Sequence, residues 1–126
     1  MKIGYVVHRF PWPSETFVSR EVADLVGLGH DIEIYSFDRP AGRDAELLGD
    51  QARRLMANTR YISRREAAQA LATPAMLAML GEERRLAATA TDRGNRLLRL
   101  GRAAALARRA RRDGVDLLHA HWPYAT

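Results

Sequence analysis

Two histidines at period two carry the first hint of chemistry in this chain. His119 and His121 are separated by Ala120. In an extended segment that spacing turns both imidazoles to the same side. The residues before them, Val115-Asp116-Leu117-Leu118, form a short apolar run that predicts a strand, so the pair stands at a strand's carboxyl end. A neutral imidazole donates one hydrogen bond and accepts another, which suits sugar hydroxyls or a phosphate oxygen. A metal would need further His, Cys, Asp or Glu ligands. His8 and His30 show no ligand spacing, so no metal is expected. A structural role, with one imidazole bonded to loop backbone, stays open beside the functional one.

Ser14-Glu15-Thr16 is the second cluster. Ser14 is a good N-cap, and Phe17, Val18, Val22, Leu25 and Val26 recur behind it at helical spacing. A helix start offers unpaired N–H groups and the positive end of a dipole, which favour a phosphate. Glu15 fits two readings. It stabilises the helix start, or it accepts hydrogen bonds from sugar hydroxyls while the Ser14 and Thr16 backbone faces a phosphate and Arg9 offsets the charge. Gly27-Leu28-Gly29-His30 follows a helix and is no dinucleotide fingerprint, whose glycines must lie between strand and helix. Trp12 and Trp122 lie in loops at strand ends, placed to stack on a ring or to fold over the sheet edge.

The elements that must position these residues are legible from pattern. Ile3-Gly4-Tyr5-Val6-Val7 is nearly continuous in apolar character, as in a strand covered on both faces of a parallel sheet. The loop His8–Thr16 follows, held extended by Pro11 and Pro13. Gly29 ends the first helix, and Ile32, Ile34 and Phe37 alternate as a second strand. A helix over residues 45–57, capped by Asp44, and a short strand Thr59–Ile62 come next. Residues 64–113 read as Ala/Leu/Arg helices broken near Pro74, Gly81 and above all Asp92–Asn95, before Asp113-Gly114 leads into the last strand. Ligands bind beyond the carboxyl ends of strands in open α/β sheets, where both clusters belong.

Size and charge narrow the classes. The chain has 126 residues, enough for one domain. It has no cysteine, which excludes disulfides and thiolate chemistry and fits a reducing cytoplasm. No leader pattern opens it, and no apolar run approaches the ~20 residues a bilayer requires. The net charge of +5 is local: residues 1–92 hold 12 basic and 13 acidic side chains, whereas 93–112 hold eight arginines and no acid. Such a segment suits nucleic acid or an anionic surface. With 19 arginines against one lysine, it also suits a compositional bias and a solvated helix. The arginines fall on several sides of the 96–112 wheel, unlike a membrane-surface helix.

The stretches Lys2–Val7, Pro13-Ser14-Glu15-Thr16-Phe17-Val18, Arg20-Glu21 and Leu28-Gly29-His30-Asp31-Ile32 together resemble the start of family 4 glycosyltransferases of the GT-B fold. The branch most similar builds bacterial exopolysaccharide and colanic-acid-type polymers. Val115–Trp122 is the second match, and the helical stretch between them is similar to that branch as well.

The resemblance implies an α/β, Rossmann-like parallel sheet with a helical insertion at about 63–113, forming an incomplete N-terminal, acceptor-side half of a GT-B enzyme. Residues 1–126 would be one truncated domain, and the donor-binding half, with its Glu-x7-Glu element, would lie beyond it. The implied activity is metal-free, retaining transfer of a hexosyl group from a nucleotide-diphosphate sugar to a saccharide or lipid-linked acceptor. No cofactor is implied beyond the nucleotide-sugar co-substrate. His121 would position the transferred sugar or acceptor, with Ser14, Glu15, Thr16, Arg9 and His119 as substrate-binding residues. The implied location is cytoplasmic, with peripheral contact at the inner membrane compatible with a lipid-linked acceptor, and the chain alone is expected to transfer no sugar. Family relatives often carry a Gly-Gly turn where Ser14-Glu15 stands, which separates this chain from a simple phosphate cradle. The rival from another class is a stand-alone Arg-rich module for nucleic acid or anionic surfaces.

Overall fold

The computed structural model describes residues 1–74, 76–77 and 90–121, with side chains described for all of these but 90–95. The elements that build this part are β1 (Lys2–Arg9), α1 (Thr16–Gly27), β2 (Asp31–Asp38), α2 (Arg43–Glu46), α3 (Asp50–Asn58), β3 (Thr59–Tyr61), α4 (Arg64–Leu71), α5 (Ala90–Arg112) and β4 (Leu117–His121). The strands form one sheet in the order β3-β2-β1-β4, and every pairing is parallel. The fold is α/β and Rossmann-like, as the buried first strand predicts.

β1 is central because both its faces are covered. Tyr5 and Val7 share one face with Ile34 of β2, and Val18 and Val22 of α1 pack there with Phe10. Burying side chains of this size contributes about 1.5–3 kcal/mol each. On the opposite face Gly4 admits close neighbours. A Cβ there would lie 2.7 Å from Leu118 Cδ2, 3.0 Å from Val115 Cγ1 and 3.1 Å from Tyr35 Cε2. Tyr35 is fully buried, and its hydroxyl donates to Asp113 at 2.9 Å.

By contacts the chain divides into two compact units: Met1–Tyr61 with the segment from Arg112, and Ile62–Arg111. The second unit begins with a capping box. Ser63 Oγ accepts from the Glu66 N–H, and Glu66 bonds back to the Ser63 N–H. The sequence carries this signature as Ser63-x-x-Glu66. Glu66 also pairs with Arg109. Gly101 of α5 lies against the α4 backbone, where a Cβ would meet Ala67 O at 2.6 Å.

Several boundaries differ from the sequence expectations. β1 runs on through His8 and Arg9, because β2 continues beside it to the Arg9–Asp38 pairing. Ser14 is not the N-cap. The Glu15 N–H donates to Trp12 O at 3.0 Å, so Ser14 falls inside a turn and Glu15 takes the boundary without a side-chain cap bond. Phe17 and Val26 leave the apolar stripe and are 48% and 51% exposed, since each lies about 100° around the helix from a residue that packs inward. The helix expected over 45–57 is two, α2 and α3, separated at Leu47–Gly49, and Asp44 lies inside α2 rather than capping it. α5 passes unbroken through Gly94-Asn95. One glycine costs a helix only ~1 kcal/mol relative to alanine, and the Arg/Leu/Ala-rich residues 96–112 that follow are good helix formers. The expected break at Gly81 and the terminal Trp122 lie outside the described residues. The Gly29 expectation holds: φ is +86°, the Gly29 N–H donates to Val26 O and the His30 N–H to Leu25 O, a Schellman closure of α1.

Candidate functional site

The carboxyl end of the sheet is assembled by register. β1 and β4 run parallel with Tyr5 opposite His119 and Val7 opposite His121, so Tyr5 and both imidazoles share one face. The Tyr5 and His119 ring centroids lie 4.7 Å apart, those of Tyr5 and His121 6.1 Å, and those of His119 and His121 6.2 Å. α1 covers the same face, and its first turn brings Phe17 to 5.5 Å from His121. The period-two reading of the pair therefore holds. His119 is exposed and His121 half-buried.

Tyr5 is the floor of this cluster at 1% exposure. Burial first, and then the Glu21 carboxylate of α1, push its phenol well above the ordinary value. Its hydroxyl makes no hydrogen bond of good geometry among the described residues, although Glu21 stands near enough to act on it electrostatically. Tyr5 thus supplies a neutral aromatic ring under the two imidazoles.

The loop leaving β1 is pinned at Phe10. The Phe10 ring is buried, its N–H donates to Asp38 O at 3.4 Å, and its carbonyl accepts from the Tyr61 hydroxyl at 2.8 Å. The Phe10–Pro11 peptide is cis. Ser36 Oγ donates toward the His8 and Asp38 carbonyls at 3.3 and 2.9 Å, which ties the ends of β1 and β2 together. His8 Nε2 lies 3.2 Å from Asp38 Oδ2 on that edge, a pairing that no sequence spacing announced.

The remaining candidates separate. Arg9 places its guanidinium 4.5 Å from the Trp12 ring centroid, a cation–π contact. Thr16 lines a different cleft, with Trp12, Ser19, Leu48, Gln51 and Ala52. Ser14 is exposed in its turn, and Glu15 is half-buried at the α1 boundary. Thus His119, His121 and the start of α1 come together through Phe17, whereas Arg9 and Thr16 serve Trp12 and the cleft. Sequence reasoning missed Tyr5 and Phe17 as site residues. For Tyr5 the signal was the shared face of β1 and β4, which requires the register; Phe17 reaches that face from the first turn of α1.

Among the described residues no group of three or more His, Cys, Asp or Glu could hold a metal ion, and no helix is long and apolar enough to cross a membrane. Compared with protein-family models, with curated proteins and with solved structures, the chain gives no match.

Proposed function

We propose that this chain is the acceptor-side part of a sugar-nucleotide-dependent hexosyltransferase, and that the rim formed by His119, His121 and the start of α1 handles saccharide. The observation that carries this reading is the 5.5 Å approach of Phe17 to His121. It joins the two stretches whose sequence resembles family 4 glycosyltransferases at one end of one parallel sheet. Imidazoles that donate and accept suit a polyhydroxylated ligand, and Tyr5 beneath them keeps their orientation. On this reading His121 positions the sugar or acceptor, His119 and Glu15 contribute hydrogen bonds, and turnover needs a second α/β half that grips the nucleotide diphosphate. Cytoplasmic work on a polysaccharide or lipid-linked acceptor at the inner membrane face belongs to the same proposal.

The Arg-rich alternative draws less support. Arg109 and Arg112 are engaged with Glu66 and Asp113, and the arginines are distributed around α5 rather than gathered on one stripe. Saturation-transfer NMR with gluco-, galacto- and fuco-configured trisaccharides tests the reading. Transfer to at least one sugar that is lost in His121→Ala supports it. No transfer from the wild-type chain, or transfer unaffected by that substitution, refutes it.

A further inference from the structure

Arg9 and Arg39 stand at the carboxyl ends of the neighbouring strands β1 and β2. Arg9 is paired in register with Asp38, and Arg39 is the next residue. Neighbouring strands run about 4.8 Å apart and consecutive Cα atoms about 3.8 Å, so the two arginine Cα atoms lie within about 9 Å of each other. Both residues are exposed, and each is held against an aromatic ring. The Arg9 guanidinium carbon lies 4.5 Å from the Trp12 ring centroid, and that of Arg39 lies 5.4 Å from the Tyr61 centroid. The two stacks are connected. The Tyr61 hydroxyl donates to the carbonyl of Phe10, the residue after Arg9, at 2.8 Å. The Arg39 charge is felt at that same hydroxyl, where it opposes the upward push of burial. Neither guanidinium forms an ion pair with a carboxylate among the described residues. The adjacent acid, Asp38, has its Oδ2 3.2 Å from His8 Nε2.

We propose that Arg9 and Arg39 form a two-pronged site for a phosphate dianion, carried by a phosphate monoester or by a diphosphate. A ring face restrains a guanidinium without cancelling its charge, and the N–H groups at its planar edge stay open to an acceptor. Two such forks match the roughly two negative charges of a phosphate ester at neutral pH. Each can give paired hydrogen bonds to phosphate oxygens, and their long stems allow both to close on one anion. Restraint by Trp12 and Tyr61 lowers the side-chain entropy lost on binding. A single carboxylate would leave one guanidinium unmatched, and a neutral ligand would leave both. The site lies at the β1–β2 end of the sheet, whereas the saccharide reading rests on β4, so neither requires the other.

The test is an NMR titration of the 126-residue chain in about 0.1 M salt. Inorganic pyrophosphate and phenyl phosphate are the probes, with acetate as the control. Saturable shifts at the Arg9 and Arg39 side-chain Nε–H signals are expected with at least one phosphate probe and not with acetate. The probe that responds separates a diphosphate from a monoester source. Arg9→Gln and Arg39→Gln should each weaken binding about five-fold or more, whereas Arg20→Gln, an exposed arginine of α1, should change it less than two-fold. Trp12→Leu, which keeps the Arg9 charge and removes its ring, should weaken binding about two- to five-fold. Absence of phosphate binding, equal losses in Arg20→Gln and Arg9→Gln, or unchanged affinity in Trp12→Leu overturns the proposal.

Discussion

Tyr5 and His119 sit directly opposite each other on β1 and β4, with their rings 4.7 Å apart. The contact binds the last strand of the described sheet to the central one through side chains as well as backbone. It also makes Tyr5 the support on which the imidazole rim rests.

Replacing Tyr5 separates ring from hydroxyl. Tyr5→Phe keeps the stacked ring and removes a hydroxyl that is buried without a good hydrogen bond, so stability should change by less than about 1 kcal/mol. Tyr5→Ala should cost about 3–5 kcal/mol through lost burial and the cavity left behind. Urea denaturation of the two variants measures both. Equal losses would show that the hydroxyl matters as much as the ring.

The amino-terminal edge of the sheet gives a pH prediction. Arg60 bonds Glu33 at 2.7 Å and lies 3.4 Å from Asp113, while Lys2 reaches Glu33 at 3.1 Å. The Arg60 hydrogen bond first holds Glu33 below the ordinary carboxylate range. Burial alone would raise Asp113, but the Tyr35 hydroxyl and Arg60 outweigh it and hold it low as well. Both folded-state values are therefore depressed. Their stabilisation is present above the ordinary carboxylate pKa, about 4, and is lost as pH falls below it through the folded values. Thermal melts should show a steep loss of stability between about pH 4 and pH 2, and Arg60→Met should shallow that slope. An unchanged slope in Arg60→Met would contradict the assignment.

Two glycines hold close contacts of different kinds. Alanine is worth about 1 kcal/mol more than glycine in a helix interior, yet Gly101→Ala should destabilise by about 1–3 kcal/mol, because its Cβ meets the Ala67 carbonyl and backbone does not yield. Gly4→Ala should cost less. Its nearest obstacle is the end of the Leu118 side chain, which is 45% exposed and free to rotate. Guanidinium titrations of the two variants would rank them, and the reverse order would refute this packing argument.

The Tyr61 hydroxyl is the one side-chain bond holding the Phe10 carbonyl of the loop among the described residues. Tyr61→Phe should cost about 1 kcal/mol and speed amide exchange at residues 10–16. Unaltered exchange there would show that the buried Phe10 ring alone anchors the loop.

How much of this was legible beforehand follows from what each feature depends on. The strand at Ile3–Val7 and the imidazole pair at His119 and His121 rest on local period, and both stand as the pattern predicts. The Gly29 turn likewise needs only local conformation. Ser14 looked like a cap because residue type favours one, but a turn at Trp12–Glu15 shifted the boundary by one residue. Gly94 suggests a stop because glycine is a weak helix former, but the long Arg/Leu/Ala-rich run at 96–112 outweighs one glycine. Tyr5 under His119, His8 beside Asp38 and the cleft at Ser19 each depend on pairings between distant segments. No single-chain pattern fixes such pairings before register is known.

The most direct test of the proposal that this rim handles saccharide observes its imidazoles themselves. Long-range ¹H–¹⁵N correlation spectra would be recorded while the trisaccharide that gives saturation transfer is titrated in. Saturable shifts at the His121 and His119 ring nitrogens, together with the Phe17 ring protons, are the predicted result. Saccharide binding that leaves those resonances unmoved, or no binding by the chain at all, would contradict it.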